Sequence, residues 1–189
     1  MLDFINVISQ FRIEGAVESV SPIGNGLINE TLRVTTVGTD TPDYILQRIN
    51  DTVFTDVDLL QHNIETVTAH IRHKLEAQGE QDIDRKCLRF IETSAGKTYY
   101  KDGNGRYWRM SVFIPDTCTK EEVNPENAFC CGETFGNFEQ MLVDLKEPLG
   151  ETIPDFHNME LRLRQLQEAV KADRMGRVAS VRDILGELE

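Results

Sequence analysis

The chain has 189 residues, 40% of them hydrophobic and 28% charged, the balance of one folded domain or two small lobes. Its 20 Lys and Arg against 32 Asp and Glu give a formal net charge of −12, a surface that repels phosphate backbones and argues against a nucleic-acid partner. No apolar run approaches the roughly 20 residues of a membrane span, and Met1-Leu2-Asp3-Phe4-Ile5-Asn6 carries an early acid where a signal peptide has a basic region. Cys87, Cys118, Cys130 and Cys131 show no C-x-x-C spacing and read as thiols of a reducing cytoplasm.

In chain order, Leu2, Ile5, Ile8 and Phe11 have helical spacing. Val17 and Val20 then sit in a strand-like stretch that Pro22-Ile23-Gly24-Asn25-Gly26 interrupts. Thr31 to Val37 alternates with β-branched residues, Gly38 to Asp43 is a turn cluster, and Tyr44 to Ile49 is the next strand. Three strands on short loops predict an antiparallel meander. A long helix follows, capped by Thr55 or Asp56, with Leu60, Ile64, Val67, Ile71 and Leu75 on one face and Gln78-Gly79 at its end. Strands are expected again at Leu88–Ile91, Lys97–Tyr100 and Tyr107–Ile114, with Asp102-Gly103-Asn104-Gly105 as the hairpin turn between the last two.

Beyond Pro115-Asp116 the chain reads as helices: one through Phe129, Phe135, Phe138, Met141 and Leu145, a loop over Thr152–Asn158, one through Leu163, Leu166 and Val170, and a short one from Val178 to Leu188. Strands first and helices afterwards predict an α+β fold rather than a doubly wound parallel sheet. The boundary falls at 117/118, with a sheet lobe over 1–117 and a helical part over 118–189.

Gly24-Asn25-Gly26-Leu27-Ile28-Asn29 is the most informative stretch. Its backbone amides can wrap a phosphate, but a strand follows where the dinucleotide fingerprint needs a helix. A strand–glycine loop–strand is how kinase-type folds cover nucleotide phosphates. Asn29 stands where a third glycine would be, and Asn tolerates positive φ. Taken alone, the stretch reads first as a plain hairpin turn. Gln47 and Arg48 lie on the third strand, where a basic residue reaches the α/β-phosphates, and only one of them can face the cleft. Glu65 is the mid-helix acid that would orient it. Gly96-Lys97-Thr98 resembles the end of a P-loop but lacks its first glycine and its helix. His70 and His73, at i and i+3, suit a shared metal but have no third ligand. His157 and Asp155 share a Pro-containing loop and suit a polar substrate, while Asn158 suits a helix cap. An H-x-D-x-x-x-x-N catalytic loop is missing.

Pro22–Thr31, Tyr44–Asn50, Asn63–His70, Tyr107-Trp108-Arg109, Phe113-Ile114, Phe135-Gly136-Asn137-Phe138 and Glu151–Asn158 together resemble the N-terminal part of the aminoglycoside-phosphotransferase-like kinases, in the N-acetylhexosamine 1-kinase branch. Some relatives carry a mucin desulfatase label. The resemblance implies a protein-kinase-like N-lobe, an antiparallel sheet of five or six strands plus one long packed helix, followed by the first helices of a C-lobe. Gly24, Asn25, Gly26 and Asn29 would cover phosphate, Arg48 or Gln47 would contact it, and Phe113 and Ile114 would form the hinge that meets adenine. His157 and Asp155 would approach the sugar. Leu27 replaces the polar residue, often His, of this position.

The family's catalytic Asp and metal-binding acid would lie beyond Glu189. The chain then reads as an inactive N-terminal portion of an ATP- and Mg-dependent sugar kinase, which by itself is expected to bind these cofactors weakly or not at all. The alternatives are a non-catalytic interaction domain and a kinase for an aminoglycoside or amino alcohol. Apolar stripes around Phe135, Phe138 and Leu142 predict self-association.

Overall fold

In the computed structural model, which describes residues 2–24, 26–119 and 122–187, the period-two segments of the first two thirds pair into a five-stranded antiparallel sheet. Its strands are β1 (Val17–Pro22), β2 (Glu30–Thr36), β3 (Tyr44–Ile49), β4 (Tyr99–Lys101) and β5 (Tyr107–Val112), in the order β1-β2-β3-β5-β4. The expected meander is β1 to β3, and β3 spans the residues its pattern indicates. The segment Leu88–Ile91 is not a full strand. It makes one bridge, Phe90 to Ser111, supported by the Ile91 amide on the Met110 carbonyl and the Val112 amide on that of Arg89. The chain then leaves the sheet for a turn at Thr93–Lys97, where Gly96 takes φ of 76°. The 102–105 turn needs positive φ only at Gly105, because Asp102 Oδ1 accepts the Asn104 and Arg106 amides and holds the rest.

The helices are α1 (Leu2–Ile8), α2 (Val57–Ala77), α3 (Ile83–Lys86), α4 (Pro125–Leu142), α5 (Met159–Ala172) and, after a 3₁₀ turn at Val178–Val181, α6 (Arg182–Gly186). Strand alternation divides the sheet into two faces. On one face Leu32, Val34, Tyr44, Leu46, Trp108, Met110 and Val112 form a core with Val7 and Ile8 of α1 and with Phe11. On the other, Ile49 packs with Val57 and Leu60 of α2, flanked by Tyr99 and Tyr107. α2 starts where the Asp56 carboxylate accepts the Leu59 amide at 2.9 Å. It stops at Gly79, whose φ of 72° suits glycine.

The far half of α2, Ile71 and Leu75, packs with Cys87, Ile83, Met141 and Leu142. From Met141 to Gly150 the chain runs antiparallel along α2. His70 and Lys74 meet the Met141 carbonyl and Asp144, His62 meets Glu147 at 3.1 Å, and Asn63 both donates to the Gly150 carbonyl (2.7 Å) and accepts its amide (3.1 Å). Leu142, expected on an exposed stripe, is therefore half-buried, because the end of α4 packs with Ile71 and Leu75 on the far half of α2. Phe135 and Phe138 remain exposed.

The chain forms two compact units, Met1–Thr152 and Ile153–Glu189. α4, grouped by composition with the later helices, belongs to the first. In the second, Asn158 caps α5 by accepting the Leu161 amide at 3.0 Å. Among the described residues no helix is long and apolar enough to cross a membrane.

Candidate functional site

The glycine loop joins β1 to β2, strand to strand, so no helix opens after it. Gly24 has φ of 73°, with open space where a side chain would stand. Leu27 is 100% exposed at the tip. Asn25 lies outside the described residues. Asn29 does not use the left-handed conformation that would let it replace a glycine. Its side-chain oxygen instead accepts the Asn50 amide at 2.9 Å, while Asn50 Nδ2 donates to the Ile28 carbonyl at 3.2 Å. The two asparagines clamp the end of the loop to the end of β3.

The register settles which side Gln47 and Arg48 take. Thr31, Gln47 and Arg109 lie side by side across β2, β3 and β5, as do Glu30, Arg48 and Trp108. Gln47 shares the α2 face of the sheet, and Arg48 the opposite one. Arg48 is exposed there and pairs with Glu30 at 3.7 Å. Gln47 enters a polar chain: its Nε2 donates to Thr31 Oγ1 at 3.0 Å, and its Oε1 accepts Arg109 Nε and Nη2 at 2.9 and 2.6 Å. Arg109 Nη1 reaches Gln61 Oε1 of α2 at 3.3 Å, Gln61 Nε2 donates to Thr98 Oγ1 at 2.8 Å, and Thr98 donates to Glu65. The mid-helix acid therefore does not touch Arg48. It meets the guanidinium of Arg109 only through two neutral groups.

Arg109 is named in the sequence only within the Tyr107-Trp108-Arg109 stretch of the family resemblance, with no role of its own. A lone arginine in a strand carries no spacing signal, and only its place opposite Gln47 reveals it. Burial draws its pKa down to about 10, the direction expected for a cation short of water.

Beside this chain lies a groove of about 450 Å³, lined by Ile45, Gln47, Leu88, Phe90, Arg109, Ser111, Phe113, Ile114 and Thr117. Arg33 of β2 stacks its guanidinium 4.3 Å from the Phe113 ring centroid. Asp43 neutralises Arg33 at 2.7 Å. Burial alone would raise the Asp43 carboxyl, but the Thr36 amide and Arg33 outweigh it and hold the pKa low. The Phe113 amide donates to the Asp43 carbonyl at 2.8 Å, so it is engaged within the fold. The next amide, Ile114, has no hydrogen-bond partner among the described residues.

Gln47, Phe113 and Ile114 thus line the groove, Gly24, Gly26 and Asn29 belong to the loop between β1 and β2, which does not line it, and Arg48 lies on the other face of the sheet. His157 and Asp155 lie in the second unit. His157 sits edge-on to Phe156 at 4.7 Å, and Asp155 accepts Asn158 Nδ2 at 2.8 Å. His70 is spent on Met141 and Asp144 rather than paired with His73. Among the described residues no three His, Cys, Asp or Glu side chains converge on a metal site.

No known protein-family model matches the chain. Among solved structures it is similar to the crystal structure of an aminoglycoside phosphotransferase from Alicyclobacillus acidocaldarius subsp. acidocaldarius DSM 446, with a TM-score of 0.61 and 16% identity. The match covers 97% of this chain and 50% of that one, so the chain spans about half the length of that protein. The likeness is one of fold: an α+β arrangement with a five-stranded antiparallel sheet, matching a kinase-like N-lobe.

Proposed function

We propose that this chain is the nucleotide-covering lobe of an ATP-dependent small-molecule kinase. The observation that carries the reading is the groove that ends at the Ile114 amide, unpaired among the described residues, on a sheet whose glycine loop runs strand to strand from β1 to β2. The shared fold with an aminoglycoside phosphotransferase supports it. In this reading the base lies along Ile45 and Phe113, the Ile114 amide donates to its edge, and the loop backbone at Gly24 and Gly26 covers phosphates. The acceptor is a sugar hydroxyl, as the resemblance to the N-acetylhexosamine branch implies. Without a catalytic-loop Asp–Asn pair, the chain positions nucleotide but does not transfer phosphate itself.

Amide spectra of ¹⁵N-labelled protein test the reading with adenosine alone as ligand. Ile45, Phe113 and Ile114 are expected to shift, with a Kd of about 1 mM or weaker, since the base alone supplies little area. Saturating adenosine with no movement at these three residues overturns it.

A further inference from the structure

The sheet strands of the described residues carry three arginines, Arg33, Arg48 and Arg109. Arg33 is neutralised by Asp43 and Arg48 by Glu30, while Arg109, the most buried of them, forms no ion pair. Its hydrogen-bond partners are two amide oxygens, those of Gln47 and Gln61, and the Phe90 ring centroid lies 5.7 Å from its guanidinium carbon. A guanidinium has five N–H donors. Nε uses one, and each terminal nitrogen uses one of its two. One N–H on each terminal nitrogen is therefore left, two prongs on a planar group that lines the groove. Leaving a desolvated cation without a counter-ion is costly, whereas a two-pronged guanidinium fits phosphate. Gln47 and Gln61 hold the plane from two elements, a strand and a helix.

We infer that Arg109 is the receptor for a phosphate oxyanion in this groove, with Gln47 and Gln61 as its positioning residues. The cation of this lobe then comes from β5 and not from β3. The inference deepens the nucleotide reading by naming the group that meets the polyphosphate, and it also stands for inorganic polyphosphate. Arg109 stays protonated throughout, and binding requires no proton transfer.

The test is titration of the ¹⁵N-labelled chain with sodium tripolyphosphate at low ionic strength, following the Arg109 Nε–H signal and the Gln47 and Ser111 amides. These are expected to move together and saturate. Arg109→Gln should weaken binding by roughly ten-fold or more, and Arg109→Lys by less, because a point charge keeps the attraction and loses the fork. Should Arg109→Gln fail to fold, Gln47→Met, which keeps the charge and removes its anchor, is expected to weaken binding several-fold.

Unchanged affinity in the folded Arg109→Gln protein, a loss in Arg48→Gln instead, or no tripolyphosphate binding overturns the inference. Adenosine separates it from the wider reading. Arg109-dependent tripolyphosphate binding with a silent adenosine titration keeps the anion site and removes the nucleotide. Adenosine binding with tripolyphosphate indifferent to Arg109 does the reverse.

Discussion

Asp102 shows how one side chain can fix a turn. Its carboxylate takes the Trp108 indole N–H at 3.0 Å, the Asn104 and Arg106 amides and the Arg106 guanidinium. Burial would raise its pKa, but these donors outweigh it and hold the value down to about 2. The unfolded chain takes up this proton near pH 4 and the folded chain only near 2, so the stabilisation is complete above pH 4 and is lost as the pH falls through 2. Asp102→Ala should lower stability by about 2 kcal/mol at pH 7, with a smaller loss at pH 2.5, read from urea unfolding at both values. Cys87 gives a second test. It is buried, burial pushes its thiol pKa up, and its Sγ donates to the Thr68 carbonyl, whereas the other three cysteines are exposed. A thiol reagent should label Cys118, Cys130 and Cys131 quickly and Cys87 only in denaturant. At this scale the sequence says that Gln47 and Arg48 part company, because strand alternation demands it. Which of them faces α2 follows from Ile49, whose packing against Leu60 fixes the phase of β3. Arg109 was silent because its role depends on a partner 62 residues away.

Among the elements, β3 and α2 were legible because their patterns are long and uninterrupted and the cap residue stands just before the stripe. Leu88–Ile91 misled because an apolar run of four has the composition of a strand without the length to keep pairing. The union of α2 with the stretch after α4 was also hidden, since Asn63 and Gly150 lie 87 residues apart. Asp56→Ala should cost about 1 kcal/mol through the lost N-cap, seen as a drop in Tm of a few degrees. Gly150→Ala should cost more. An added Cβ would stand 2.5 Å from Leu59 Cδ1 and 3.1 Å from its Cγ, so the half-buried Leu59 side chain must be displaced from its place between α2 and the Asn63-bound stretch of chain. Equal melting of Gly150→Ala and wild type would refute the close approach.

For the whole molecule, α4 leaves Phe129, Phe135 and Phe138 at 73, 63 and 45% exposure on a chain of net charge −12. Apolar surface of this kind promotes association, and like charge opposes it. Self-association should therefore strengthen with added salt, and Phe135→Glu with Phe138→Glu should abolish it. Light scattering across dilute and concentrated samples checks both, and a constant monomer mass in high salt would count against the surface. The path of Met141–Gly150 along α2 also sets where the first unit may be cut. An excised lobe must reach Thr152 to stay wrapped. One ended at Thr117 would lay Ile71 and Leu75 bare, and it should emerge sticky and quickly digested by protease.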